Sequence, residues 1–122
     1  MKNVLVIDDN ENMLGMMCDL LRRSGYNVIS AINGAQGLKA YYANIPDLVI
    51  TDLIMPDKEG IEIIIELTKQ KPRPKIIAIS GGGKLGPRTY LPLAEALGAD
   101  HVLEKPFHPA ELIDYVAKSL AT

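Results

Sequence analysis

The chain is poor in the features that would place it outside a reducing compartment or in a membrane. It has one cysteine, no apolar run approaching the ~18 residues of a membrane-crossing helix, and no surplus of either charge. A single thiol excludes an internal disulfide and suits a reducing compartment. Cys18 lies among helix-type apolar neighbours and lacks partners for metal or redox chemistry, so it reads as a buried core residue. The formal net charge of -2 gives no general attraction to nucleic acid or acidic membranes, so neither is expected as a partner and any charge logic must be local. Met1, Lys2 and Asn3 lead straight into a strand-like run, without the basic start, apolar segment and small-residue cleavage site of a secretory leader. A cytoplasmic protein is expected. Repeats, low-complexity tracts and interdomain linkers are missing too, and 122 residues that are 48% hydrophobic suffice for one core, a single domain over 1–122.

What is present is an alternation. Five β-branched apolar runs, "NVLVI", "YNVISA", "DLVIT", "KIIAIS" and "HVLE", are separated by helix-like segments beginning near Glu11, Gly34, Gly60 and Arg88, with a last one after Pro109. That order predicts an α/β fold with a parallel five-stranded sheet and helices on both faces. In the first helix Met13, Met16, Met17, Leu20 and Leu21 recur at helical spacing as core filler, and Gly25 ends it. The last helix is announced by His108 as its cap, Pro109 as its first residue and Glu111 reaching back, with Leu112, Ile113, Val116 and Leu120 as its apolar face.

The polar residues at the ends of these runs carry the chemistry. In an open parallel sheet, ligands collect beyond the carboxyl ends of the strands, where strand order reverses. Asp8 and Asp9 follow the first run and Asp52 ends the third. In a doubly wound, flavodoxin-like sheet of order 2-1-3-4-5, the first and third strands are neighbours and three carboxylates converge. At roughly 5 Å and an effective dielectric near 20, each pair repels by about 3 kcal/mol, so a cation is expected among them. Hard oxygen ligands favour Mg²⁺, or Mn²⁺, which joins carboxylates to phosphoryl oxygens. Read singly, each aspartate is equally well a helix or turn cap. Ser80 at the end of the fourth run and Lys105 at the end of the fifth, directly before Pro106, shift the balance. Acid, acid, hydroxyl and cation at four strand ends suit phosphoryl transfer, with Asp52 as nucleophile, Lys105 neutralising the transferred group and Ser80 donating to it.

These residues resemble the receiver domain of two-component response regulators, in the stand-alone form of chemotaxis regulators. The resemblance rests on "DD" after the first strand, "DLIMPDKEG" around the third, Ser80 after the fourth and "KPF" after the fifth, and covers essentially the whole chain. It implies a (βα)5 fold of order 2-1-3-4-5, which the alternation by itself does not show. It implies Asp52 as phosphoacceptor, Asp9 as a direct Mg²⁺ ligand, Asp8 acting mainly through water, the backbone carbonyl of Ile54 completing the metal site, and Lys105 contacting phosphate before a cis bond to Pro106. A phosphoprotein of a phosphorelay follows, taking its phosphoryl group from a sensor histidine kinase or phosphotransfer protein and signalling to a downstream protein effector. It would catalyse only its own phosphorylation and dephosphorylation, and no output domain is expected in this chain.

Three departures from the family pattern bear on signalling. Val102 stands three residues before the lysine, where an aromatic usually rotates, and His101 cannot replace it because adjacent strand residues face opposite sides. The segment "SGGGKLGPRTYLP" is long and glycine-rich, which places the expected switch on Ser80, Gly81, Gly82, Gly83 and Tyr90. Ile54 occupies a position that is often polar. The glycines do not form a phosphate-binding loop, since that motif needs a glycine at Ala78 and Ser or Thr at Leu85. Two other functions remain open at this stage: a phosphorylation-independent receiver-like interaction domain, and an aspartyl-phosphate phosphatase, although the latter normally wants Asp-x-Asp at the first strand.

Overall fold

The computed structural model describes residues 2–53, 60–80, 92 and 95–121. Five strands form one parallel sheet: β1 (Asn3–Ile7), β2 (Asn27–Ala31), β3 (Leu48–Asp52), β4 (Lys75–Ser80) and β5 (His101–Glu104). Their order is β2-β1-β3-β4-β5, which is the doubly wound order expected from the resemblance. β1, β3 and β4 lie inside the sheet and are buried on both faces, which is why they read as unbroken apolar runs rather than alternating ones. β2, at an edge, is only partly covered.

Strand alternation divides the core into two layers. Val4, Val6, Leu48, Ile50, Ile77, Ile79 and Leu103 face helix α1 (Glu11–Arg23) and helix α4 (Pro109–Leu120), meeting Leu14, Met17, Leu21, Leu112 and Val116. Leu5, Ile7, Val49, Ile76 and Ala78 face the other way, against helices α2 (Gly34–Asn44) and α3 (Gly60–Thr68) through Tyr41, Ile63, Ile64 and Leu67. Each fully buried Leu or Ile contributes roughly 1.5–3 kcal/mol, so both layers are needed to offset chain entropy.

The helix termini follow from local chemistry. Asn10 caps α1, its side-chain oxygen accepting from Met13 N at 3.0 Å, and Gly25 takes φ +97 just beyond the helix, where a side chain would be strained. Asn33 caps α2 through Gln36 N at 2.8 Å. At α4 the expected capping box is present: Ala110 N donates to His108 Nδ1 at 3.1 Å and His108 N donates to Glu111 Oε1 at 3.0 Å.

One expectation needs correction. Met16 is not core filler, for it is 42% exposed while Met17 is buried, and Leu14 and Cys18 complete the buried stripe in its place. The spacing of apolar residues identified the right helix and placed its centre one position off. The first helix is capped by neither Asp8 nor Asp9, because Asn10 does that work. Arg88, where a helix is expected to start, lies outside the described residues; beyond it, residues 92 and 95–97 are helical.

Candidate functional site: an acidic cluster with one lysine at the carboxyl end of the sheet

The register of β1 against β3 builds the site. Ile7 pairs with Thr51, so the next residues, Asp8 and Asp52, come side by side on neighbouring strands. Asp9 joins them, and one carboxylate oxygen from each of the three lies within 4.8 Å of the others. Asp8 is fully buried, Asp52 is 8% exposed and Asp9 is open to solvent. The cluster therefore has a buried floor and an open side.

Lys105 reaches this floor from the end of β5. Its Nζ lies 3.3 Å from Asp8 Oδ2 and 3.3 Å from Asp52 Oδ2. Burial works against its charge, but the carboxylates of Asp52 and Asp8 outweigh that cost and hold the ammonium above the ordinary lysine value of 10.5. The other oxygen of Asp8, Oδ1, accepts from Asn10 N at 2.9 Å, which orients this carboxylate from both sides. Lys105 is tied to β4 as well, its backbone N–H donating to Ser80 O at 2.8 Å, and the Lys105–Pro106 bond is cis as expected.

Ser80 closes β4 with a fully buried hydroxyl that has no hydrogen-bond partner among the described residues. A buried hydroxyl left unpaired costs roughly 1–3 kcal/mol, and this one closes the strand next to the one that Asp52 ends. The residues fit a divalent cation. Three carboxylates and one ammonium leave the cluster doubly negative, and at about 4.8 Å each carboxylate pair repels by roughly 3 kcal/mol at an effective dielectric of 20. All oxygen donors and no His or Cys match a hard ion of the Mg²⁺ or Ca²⁺ class.

Of the residues expected at the site, the structure brings Asp8, Asp9, Asp52 and Lys105 together and sets Ser80 at the adjoining strand end. Ile54, Gly81, Gly82, Gly83 and Tyr90 lie outside the described residues. Val102 is half-buried on the α2 and α3 side of the sheet, whereas His101 faces α4 and stacks on Tyr115 with ring centroids 4.9 Å apart. Sequence reasoning missed three residues. Asn10 serves the site through its backbone N–H, while Thr51 and Gly60 hold the backbone of Asp52. A small residue eight positions after the acid that ends a strand was the available signal for Gly60.

The chain is a doubly wound α/β domain with an acidic, lysine-bridged cluster at the carboxyl edge of its sheet, where ligands of such sheets collect. Comparison with known proteins narrows this. The response regulator receiver domain family matches residues 4–117. The chemotaxis protein CheY of Thermotoga maritima is 34% identical over 118 residues, covering 96% of this chain and 96% of that protein. The alkaline phosphatase synthesis transcriptional regulatory protein PhoP of Bacillus subtilis is 35% identical over 111 residues, 91% of this chain but 45% of that protein, so the chain spans about half the length of this relative. A response regulator receiver domain protein from Clostridium thermocellum superposes with a TM-score of 0.90 at 31% identity, covering 99% of this chain and 95% of that one. The chain belongs to the response regulator receiver domain family, the signalling domain of two-component systems. No helix among its described residues is long and apolar enough to cross a membrane.

Proposed function

We propose that Asp52 accepts a phosphoryl group from the phosphohistidine of a sensor histidine kinase or phosphotransfer protein, and that the phosphorylated chain signals to a downstream protein effector. The observation that carries this reading is the placement of Asp52: of the three clustered acids, it is the one that both meets Lys105 and keeps some access to solvent. An Asp52 carboxylate oxygen attacks phosphorus, the P–N bond breaks, and its electron pair leaves with the donor imidazole. Lys105, already 3.3 Å from Asp52 Oδ2, donates to the transferred group, and the Ser80 hydroxyl, which has no partner among the described residues, donates to another of its oxygens. Asp8, Asp9 and Asp52 would hold Mg²⁺ or Mn²⁺, which would supply positive charge against that of the transferred phosphoryl group, and the Ile54 carbonyl is proposed as a further ligand.

Residues 1–122 act as one receiver unit in this reading, with no separate substrate turned over. The response to phosphate begins at Ser80 and passes into the segment from Gly81 to Pro92, since Val102 carries neither ring nor hydroxyl to report it. Mass spectrometry after incubation with Mg²⁺ and acetyl phosphate tests the acceptor. One phosphoryl group on Asp52, lost in Asp52→Asn, is expected. Label on Ser80, or undiminished label in Asp52→Asn, would refute the assignment.

A further inference from the structure

We infer that Thr51 and Gly60 are positioning residues for the phosphoacceptor, because together they fix the peptide group that follows Asp52. That peptide is held at both its N–H and its carbonyl oxygen, and the carbonyl that follows it is held too. Leu53 N donates to Ile79 O at 2.9 Å, which continues the sheet one residue beyond β3. The fully buried Thr51 hydroxyl donates to Asp52 O at 3.0 Å. Gly60 N, at the start of α3, donates back to Leu53 O at 2.9 Å, so the chain leaves at Leu53 and returns onto the same residue.

A close approach of Gly60 adds to these bonds. A Cβ on Gly60 would collide with Asp52 O, and it would stand 2.6 Å from Leu53 Cα and 2.9 Å from the Asp52 carbonyl carbon. All three are backbone atoms and cannot turn aside as a side-chain tip would, so any side chain at position 60 must displace the Asp52–Leu53 peptide. The Asp52 side chain springs from that backbone, and its Oδ2 is already shared with Lys105 at 3.3 Å. A shift of a few tenths of an ångström is therefore felt at the acidic cluster, where misplacement of a reacting atom by about 1 Å can cost on the order of a hundredfold in rate.

The proposal rests on Asp52 as phosphoacceptor, and the test separates the two. Gly60→Ala, Thr51→Val, Thr51→Ser and a control, Gly98→Ala, are compared with the wild-type chain. Gly98, at the opposite end of the sheet, has φ +119, and a Cβ there would stand 2.8 Å from Thr68 Cγ2, so its replacement costs stability without touching Asp52. Three quantities are measured: Mg²⁺ affinity by calorimetry, the labelling rate with acetyl phosphate at saturating Mg²⁺, and amide exchange at Leu53 and Gly60 in metal-free protein. Gly60→Ala is expected to lower affinity and rate by about tenfold or more. Thr51→Val is expected to lower them about fivefold and Thr51→Ser to restore them to within about twofold, as loss and return of one buried hydrogen bond would give. Exchange at Leu53 should quicken in Thr51→Val, while Gly98→Ala keeps both affinity and rate. If Gly60→Ala does not fold, the two Thr51 variants decide. The inference is overturned if Thr51→Val matches the wild type in affinity and exchange, or if Gly98→Ala loses affinity as Gly60→Ala does. A wild-type chain that takes no label sinks the phosphoacceptor reading alone, since affinity and exchange still report the positioning.

Discussion

Lys105 holds the metal-free site together. Asp8 is fully buried, and its ammonium partner at 3.3 Å is what makes that burial tolerable. Lys105→Met should destabilise the metal-free protein by about 2–3 kcal/mol, below the usual cost of breaking a fully buried pair because the lysine keeps some solvent contact. Urea unfolding with and without saturating Mg²⁺ checks this, and the deficit should shrink when the ion supplies the missing positive charge. Cys18 offers a second test at this scale. Burial pushes its thiol above the ordinary value of 9.0, with Arg22 partly offsetting and Asp19 adding to the rise. An acid whose folded value lies above its unfolded one keeps its proton longer when folded, so this group costs stability as pH climbs past 9.0, and the cost levels off above the folded value. Cys18→Ala should remove that part of the alkaline decline in unfolding free energy. Iodoacetamide should label Cys18 in the folded chain at pH 8 far more slowly than in urea.

The helices differ in how well their ends suit their sequences. α1 and α4 carry Asn10 and His108 caps, acids in the first turn and basic residues in the last, all of which agree with the helix dipole. α2 ends less comfortably. Its C-cap is Ile45, with φ 44 and half of its surface exposed, a β-branched residue in the left-handed region. That conformation costs roughly 1–2 kcal/mol for a residue with a side chain, and little burial compensates it here. Ile45→Gly should therefore stabilise the protein by about 1 kcal/mol and raise its melting temperature by several degrees by calorimetry. A lower melting temperature would mean that Ile45 makes contacts worth more than its strain.

At the scale of the whole molecule, three acids at one end of the sheet couple folding to ion binding. An ion that binds only the folded chain stabilises it by mass action, by about 2.7 kcal/mol at a hundredfold excess over its Kd. Thermal unfolding should shift upward with Mg²⁺ in the wild-type chain and stay flat in the double variant Asp8→Asn, Asp9→Asn. That variant should also exceed the wild type in stability when no metal is present, since it relieves repulsion in the cluster. A Mg²⁺ response that survives in the double variant would place the ion elsewhere.

The amino-acid sequence by itself determined the elements. The five β-branched runs became β1 to β5 within a residue at each end, and the Pro109 helix start was legible because capping and strand burial act over a few neighbouring residues. It also determined which polar groups end the strands, and so which chemistry was available. Tertiary structure alone decided how those groups meet. Asp8 and Lys105 are 97 positions apart, and only the registers of β1 on β3, β3 on β4 and β4 on β5 bring them within 3.3 Å. Docking of α1 on the sheet decided that Met17 is buried and Met16 exposed, since helical spacing defines a stripe but not its centre. The close approach of Gly60 to the Asp52–Leu53 peptide was likewise decided by tertiary structure, because a glycine in the sequence marks a small residue but not which backbone comes against it.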